Sequence, residues 1–203
     1  MSINRNLIEY SARCILESKA VLFTAGAGIG VDSGLPAFRG NEGLWEAYPY
    51  FRKANMSFTD AANPMFFLRD PHKFWFFYGH RYNIYRETLP HQGFKDMLEI
   101  GKKYMDGNYF VFTSNVDNHF SKAGFSEDRI AECHGSIMHF QCSSCWEIYD
   151  ANVDSIPLDA STFEAKSIPK CPKCTQAVRP NILMFGDFDW IGERTEEQAH
   201  RYK

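Results

Sequence analysis

Two pairs of closely spaced cysteines constrain the fold of this chain more than any other feature. Cys142 and Cys145 form one C-x-x-C pair, and Cys171 and Cys174 form the other. Each pair can present two thiolates from a tight turn, and four thiolates make the tetrahedral set that zinc prefers. Their separation is typical of a zinc ribbon, in which two hairpins meet at the metal. We therefore predict one zinc site, with redox-active C-x-x-C motifs as the alternative interpretation.

The predicted zinc is structural. Four sulphur ligands leave no coordination position open for water, and a catalytic zinc needs such a position. We place the zinc-binding lobe at residues 136–178. Of the two other cysteines, Cys133 stands alone, and Cys14 lies among apolar residues of a predicted helix, where a buried thiol is expected.

Composition and charge argue against several classes of partner. A hydrophobic fraction of 44% is ordinary for a globular protein. The net charge is -3 without a long run of Lys or Arg, so we expect no direct nucleic-acid binding. The longest apolar run near the N-terminus, residues 20–23, is too short for a signal peptide or a membrane span. We predict no membrane association and a cytoplasmic location, where thiolates stay free to bind metal.

The order of apolar patterns predicts an α/β fold with a Rossmann-like parallel sheet. Residues 4–18 have apolar side chains at helical spacing. A β-rich run at 20–24 then leads into a glycine-rich turn, as at the start of a nucleotide-binding α/β unit. Further buried strands are predicted at 109–113 and 181–185.

Two insertions interrupt this sheet, a helical one rich in aromatic residues at 41–90 and the cysteine-containing lobe. A doubly wound sheet usually has about five or six strands, whereas about three can be placed here. The last segment, 193–203, is polar and helix-like. We therefore expect residues 1–203 to form a single domain that lacks the C-terminal part of its fold.

The glycine-rich turn is a weak signal when taken alone. Gly26, Gly28 and Gly30 would let backbone amides approach a pyrophosphate, and a helix start favours its negative charge. However, residue 31 is Val, so the G-x-G-x-x-G pattern is not completed.

Four further motifs follow this turn and extend the pattern that it begins. The turn continues through V-D-S-G-L-P-A-F-R-G to Gly43-Leu44-Trp45, and T-S-N-V-D, E-C-H-G and R-P-N-I-L-M-F-G follow at 113–117, 132–135 and 179–186. In this order, with both cysteine pairs between the last two, the motifs resemble those of sirtuins, the silent information regulator family of NAD-dependent protein deacylases. The resemblance covers residues 26–186. It implies NAD and zinc as cofactors and acyl-lysine proteins as substrates.

The resemblance also implies site residues. His134 matches the general base that activates a ribose hydroxyl, and an imidazole suits proton transfer at neutral pH. Asn115, also implied as catalytic, and Asp117 match residues that orient the nicotinamide ribose and hold the nicotinamide amide, although either could simply cap a helix. Phe38 matches the aromatic that shields the cleaved ribose, and Arg39 matches an arginine near the cofactor phosphates. The implied cofactor-binding residues are Gly26, Ala27, Gly28, Ile29, Ser33, Phe38, Arg39, Trp45, Ser114, Asn115, Val116, Asp117 and His134.

Several positions depart from the family pattern. Ser114 stands where a longer glutamine usually contacts the cofactor ribose. Ala37 replaces a common aspartate, and sirtuins with broadened acyl specificity often have a small or hydroxyl residue there. Cys133 stands where leucine is usual. The family's later G-T-S loop and N-x-E ribose contact do not occur in these 203 residues.

The aromatic insertion contains two residues that relate to the acyl group on the substrate lysine. Tyr78 and Arg81 resemble the Y-x-x-R pair with which one sirtuin class grips acidic acyl groups. An arginine fork and a phenol can bind the carboxylate of a succinyl or malonyl group, which an acetyl group lacks. The alternative is an aromatic core stripe with a solvated arginine. Both interpretations stay open at this stage.

The resemblance implies an NAD-dependent protein lysine deacylase, acting as a deacetylase, desuccinylase or demalonylase. Its products would be nicotinamide, O-acyl-ADP-ribose and free lysine. Two alternatives stay open. The same site could hydrolyse NAD or transfer ADP-ribose, as in some bacterial relatives of the fold, or the chain could be an inactive fragment held together by zinc. The sequence does not indicate an oligomeric state.

Overall fold

The computed structural model describes residues 4–36 and 40–202. The α-helices in these ranges are α1 (Arg5–Glu17), α2 (Gly40–Ala47), α3 (Pro49–Lys53), α4 (Phe58–Ala61), α5 (Pro64–Arg69), α6 (Pro71–Glu87), α7 (Gln92–Glu99), α8 (His119–Lys122) and α9 (Glu193–Tyr202). The strands are β1 (Val21–Ala25), β2 (Tyr109–Thr113), β3 (Ile130–Glu132), β4 (Gly135–Cys142), β5 (Glu147–Asp150), β6 (Leu158–Asp159), β7 (Glu164–Ala165) and β8 (Arg179–Ile182). Short 3-10 turns cover Ala27–Ser33 and Glu127–Arg129, and a π-helical turn covers Ile100–Tyr104.

A three-stranded parallel sheet carries the first part of the fold, in the order β1-β2-β3. Val21 lies beside Tyr109, and Val111 lies beside Ile130. Phe94 of α7 packs with Val111 and Ile130 in the core of this sheet. The carboxyl ends of parallel strands meet at one edge of a sheet, so the loops that follow β1, β2 and β3 converge there.

The prediction of a parallel strand at 181–185 was wrong. The strand there is β8, which ends at Ile182 and pairs antiparallel with β4 in a second sheet, ordered β5-β4-β8. The third parallel strand is β3, which has three residues. A run this short shows no periodicity, and local sequence does not tell parallel from antiparallel pairing.

The aromatic insertion forms α2 to α6, and α6 is its centre. Asp70 caps α6 by accepting the Lys73 amide at 3.1 Å, and Pro71 occupies the first turn, where a missing amide costs nothing. Phe74, Trp75 and Phe77 are fully buried. Gly79 is required by close packing, because a Cβ there would lie 2.6 Å from Cγ2 of Ile156.

The cysteine-containing lobe packs directly against α6. Trp75 Nε1 donates to the Val178 carbonyl at 2.9 Å, and the Tyr82 hydroxyl donates to the Ala151 carbonyl at 2.9 Å. The indole of Trp75 also meets the ring of Phe140 edge-on, with 5.2 Å between centroids. The helical insertion and the lobe therefore share one hydrophobic core.

Helix α1 has no buried residue. The helix predicted at 4–18 is present over Arg5–Glu17, but Leu7 is 63% exposed and Cys14 is exposed. The prediction of a buried Cys14 thiol was wrong, because the apolar face of α1 covers none of the described core. No helix in the described ranges combines the length and apolar character needed to cross a membrane.

Candidate active site

A cavity of about 430 Å³ lies where the ends of β1 and β2 face α6 and β8. Its wall combines a nucleotide-type loop, polar residues after β2, the residue before β4, and aromatic and basic side chains of α6. The residues that line the cavity are Ala27, Gly30, Leu35, Pro36, Phe58, Ala62, Tyr78, Arg81, Tyr85, Ser114, Asn115, Val116, Asp117, His134, Ile182, Leu183, Met184 and Phe185.

The glycine-rich loop and the loop after β2 are bonded to each other. Asn115 Nδ2 donates to the Gly26 carbonyl at 3.1 Å, and the Ser114 amide donates to the Ala25 carbonyl at 3.1 Å. A Cβ at Gly26 would lie 3.6 Å from the Ser114 hydroxyl oxygen, which is ordinary contact. The two loops therefore form one continuous rim of the cavity.

Asn115 and Asp117 are both buried and both line the cavity. The Thr113 hydroxyl accepts a hydrogen bond from the Asn115 backbone amide at 3.0 Å, and Asp117 Oδ1 accepts one from the His119 backbone amide at 3.0 Å. Asp117 thus bonds the backbone at the start of α8 from the position before the N-cap residue Asn118, while it also faces the cavity. The two interpretations are compatible for this residue.

His134 lies between β3 and β4, where its backbone is fixed on both sides. Its carbonyl accepts the Leu183 amide at 3.0 Å. The next residue, Gly135, has a φ of +76°, and a Cβ there would lie 2.1 Å from the Asn181 carbonyl oxygen, so only glycine fits. This backbone directs the His134 side chain into the cavity wall.

A buried ion pair supports the segment before His134. Arg194 Nη2 lies 2.6 Å from Oε2 of Glu132, and the Glu132 side chain is 4% exposed. Burial raises the pKa of the Glu132 carboxyl, and the Arg194 guanidinium opposes that rise. The sequence indicated Glu132 through its motif but carried no signal for its partner 62 residues later.

The α6 side of the cavity carries the predicted acyl-binding pair and one more phenol. Tyr78 is buried against Phe74, and burial raises its pKa to about 12 although Arg81 opposes the rise. Arg81 lines the cavity and donates to the Tyr85 hydroxyl from Nε at 3.2 Å and from Nη2 at 3.0 Å. The solvated arginine of the alternative interpretation is therefore not observed.

A second buried ion pair stabilises the wall of the cavity next to β8. Arg179 Nη1 and Nη2 lie 2.7 and 2.8 Å from the two carboxylate oxygens of Asp187, and neither side chain is more than 2% exposed. Asp187 Oδ2 also accepts the Met184 amide at 3.2 Å. The turn that presents Leu183 and Phe185 to the cavity is therefore held by a buried ion pair and a hydrogen bond to its backbone. Arg179 belongs to the motif at 179–186, whereas Asp187 follows that motif and was not predicted.

The four predicted zinc ligands converge. Sγ of Cys142 lies 3.5 Å from Sγ of Cys174, Sγ of Cys145 lies 3.6 Å from Sγ of Cys171, and all four lie within 4.8 Å of one another. Sulphurs placed tetrahedrally at 2.3 Å from zinc would be roughly 3.8 Å apart. Burial opposes ionisation of Cys142, but backbone amides of Cys145 and Ser144 lower its pKa to about 7. The residues therefore fit a structural zinc ion.

Comparison with known proteins decides the family. The family model described as "Sir2 family" matches residues 26–199. This chain belongs to the Sir2 family. A Sir2 homologue solved with NAD shares 29% identity at a TM-score of 0.71, over 95% of this chain and 68% of that one. A mutant Sir2 homologue solved with ADP-ribose has a TM-score of 0.69, 29% identity, and 96% and 70% coverage. The predicted α/β, Rossmann-like fold class is confirmed.

Curated relatives are named NAD-dependent protein deacylase. The protein from Thermococcus sibiricus is 32% identical over 89% of this chain and 66% of its own length. The protein from Thermococcus kodakarensis is 32% identical over 89% and 65%, and one from Thermus thermophilus is 30% identical over 96% and 68%. This Sir2 chain thus spans less than two thirds of the length of the Thermococcus relatives.

The structure brings together only part of the predicted Sir2 cofactor site. Ala27, Ser114, Val116 and the residues already described line the cavity, whereas Gly26, Gly28, Ile29, Ser33 and Trp45 do not. The Ile29 carbonyl and the Ser33 hydroxyl accept bonds from His91, and Trp45 Nε1 donates to the Met56 carbonyl at 2.7 Å. Ala37, Phe38 and Arg39 lie outside the described residues.

Proposed function

We propose that this Sir2 chain carries the site of an NAD-dependent protein lysine deacylase. The observation that supports it is one cavity that combines Asn115, Asp117 and His134 on one side with Tyr78 and Arg81 on the other. The polar set suits a nicotinamide ribose, and the α6 set suits an acyl group. The relatives' name, NAD-dependent protein deacylase, also supports this proposal.

The proposed NAD position follows the continuous rim formed by the two loops. The glycine-rich loop from Gly26 would hold the phosphates, and Ser114, Asn115 and Asp117 would hold the nicotinamide ribose and amide. Buried Asn115 and Asp117 fit this task, because both keep polar groups at the cavity wall without solvent around them. When bound there, NAD would supply an electrophilic C1′ on its nicotinamide ribose, with nicotinamide as the leaving group.

His134 would act as the general base. It would accept the proton of a ribose hydroxyl so that this oxygen can take the acyl group, and the lysine amine would leave with a proton. With one water consumed, the products are nicotinamide, O-acyl-ADP-ribose and free lysine. The cysteine cluster would hold zinc only to stabilise the lobe, since its four ligands are all sulphur.

The proposed substrates are proteins with acylated lysines, with a preference for acidic acyl groups. Arg81 supplies a charged fork, and Tyr78 supplies a phenol that burial keeps protonated. We assign residues 41–90 as the helical insertion that carries this pair and 136–178 as the zinc-binding lobe, in a cytoplasmic protein.

The test is nicotinamide release by this 203-residue chain with acetyl-, succinyl- and malonyl-lysine peptides. We expect release that depends on peptide, is fastest with an acidic acyl group, and is abolished in His134→Ala. Peptide-independent release would instead favour NAD hydrolysis or ADP-ribosyl transfer. Arg81→Met should lose the acidic substrates and keep the acetyl peptide, and an equal loss on all three would contradict the acidic preference.

A further inference from the structure

Tyr85 lies one helical turn after Arg81 on α6 and lines the same cavity. Its side chain is 5% exposed, so the phenol is shielded from bulk water. It belongs to none of the motifs that resemble the family pattern, because the Y-x-x-R pair ends at Arg81.

The hydrogen bonds between Tyr85 and Arg81 have a defined direction. Nε and Nη2 of Arg81 are both donors, so the Tyr85 oxygen accepts both bonds, at 3.2 and 3.0 Å. A phenol hydroxyl that accepts in this way still has its own proton to donate. The guanidinium also lies over the Tyr85 ring, 5.4 Å from its centroid. Tyr85 therefore fixes the plane of the guanidinium through its oxygen and its ring together.

The backbone of Tyr85 is itself fixed by Lys122. Nζ of Lys122 donates to the carbonyls of Tyr85, Arg86 and Thr88 at 2.5, 2.7 and 3.0 Å. These carbonyls belong to the C-terminal end of α6, where a cation is favourable. Lys122 lies in α8, just after the polar loop that contains Asp117. Tyr85 thus lies at a helix end that is held by hydrogen bonds within the protein itself.

We propose that Tyr85 is a specificity-determining residue for acidic acyl groups. Its hydroxyl oxygen holds Arg81 in place, and its hydroxyl group donates a hydrogen bond to the acyl carboxylate. This inference rests on the acidic preference proposed above. A carboxylate in the cavity would accept hydrogen bonds from the Arg81 fork and from the phenols of Tyr78 and Tyr85. An acetyl group has no atom that accepts the Tyr85 proton at that place.

The test is binding of fluorescent succinyl-lysine and acetyl-lysine peptides to the 203-residue chain, followed by anisotropy. Tyr85→Phe removes the hydroxyl and keeps the ring. We expect it to weaken succinyl-peptide binding about tenfold and to change acetyl-peptide binding less than twofold. In turnover, the same loss should appear in KM for the succinyl peptide with kcat unchanged.

Two further variants separate the possible failures. Tyr50→Phe is the matched control, because Tyr50 stacks on Phe163 away from the cavity lining. It should leave both affinities unchanged. If Arg81→Met selectively weakens the succinyl peptide but Tyr85→Phe does not, the role of Tyr85 is overturned and the acidic preference stands. If neither variant discriminates between the peptides, the acidic preference fails together with the role of Tyr85. Equal weakening of both peptides by Tyr85→Phe would show a merely structural role.

Discussion

Helices α6 and α1 both carry several large apolar side chains, and the structure uses these side chains in opposite ways. In α6, eight residues are buried, and Phe74, Trp75 and Phe77 are fully enclosed. In α1 no residue is buried, and Leu7 and Ile8 are 63% and 53% exposed. A helical pattern therefore predicts that a helix forms, but it does not predict what the apolar side chains contact.

Polar groups of α6 also bond to the lobe against which the helix packs. Trp75 and Tyr82 bury large rings and still donate to carbonyls of the lobe, and Asn83 Nδ2 donates to the Ile156 carbonyl at 2.9 Å. These bonds join the cavity wall to the cysteine-containing lobe. Residues of α1 make no comparable bond to distant parts of the described chain. Stability should therefore respond strongly to changes around α6 and weakly to changes on α1.

Loss of the predicted zinc should have the largest effect. Cys171→Ser removes one buried ligand, and we expect metal loss and an unfolded lobe, at a cost on the order of 5 kcal/mol or more. Because Trp75 and Tyr82 bond to this lobe, packing around α6 should also loosen. Metal content and near-ultraviolet circular dichroism would report the two changes.

Cys14→Ser in α1 is the matched control for that experiment. Cys14 is exposed, so the same substitution there should leave metal content and unfolding unchanged. A Cys171→Ser variant that keeps full zinc content and native dichroism would contradict the metal assignment.

Truncation of Trp75 should have the next largest effect. Trp75→Ala empties a fully buried site and leaves the Val178 carbonyl without its donor, so we expect about 3–5 kcal/mol lower stability. Trp146→Ala is the comparison, because Trp146 is 62% exposed and its removal should cost less than about 0.5 kcal/mol. Urea unfolding of both variants would measure the difference, and similar losses would contradict the assignment of α6 as the core.

The same contrast shows which parts of the fold the sequence could predict. The parallel strands at β1 and β2 were predictable, because each is a continuous β-rich run next to turn residues. Strand β3 and the pairing of β8 were not, because three residues show no period and strand direction depends on partners far away in the sequence. The burial of Cys14 was predicted wrongly for the reason given above.

Much of the candidate site followed from motif order, but its supports did not. The convergence of Asn115, Asp117 and His134 on one cavity agrees with the motifs. The partners of the buried charges, Arg194 and Asp187, were not identified, because both lie outside the motifs and the pairing of side chains leaves no pattern in the sequence. Tyr85 was not identified as a site residue, since its bond to Arg81 is visible only when side chains are placed.

A half-buried histidine in β4, His139, should give the next largest effect, which appears as a dependence of stability on pH. Burial, and to a smaller extent the Arg194 guanidinium, lower the pKa of His139 to about 4, although Asp150 opposes this shift. Below the ordinary histidine pKa of about 6.5, the unfolded chain therefore binds more protons than the folded chain. Stability from neutral His139 is complete above that value and is lost as pH falls towards 4.

The expected loss is on the order of 1–3 kcal/mol between pH 6.5 and 4, less than a full burial would give because His139 is 21% exposed. Urea unfolding of the wild type minus that of His139→Gln at each pH isolates this contribution and cancels acid effects on the cysteines. His200→Gln, on the exposed surface of α9, serves as control. A difference that stays constant with pH would refute the assignment.

The smallest effect is expected in α1, where Leu7→Ala should change the free energy of unfolding by less than about 0.5 kcal/mol. Leucine and alanine have similar helix propensities, and a 63% exposed side chain leaves no cavity when it is shortened. Leu44→Ala in α2 is the matched change at a fully buried site and should cost about 2–5 kcal/mol. Urea unfolding compares the two directly. If Leu7→Ala costs more than about 1 kcal/mol, α1 contributes to the core in solution, and the contrast between the two helices does not hold.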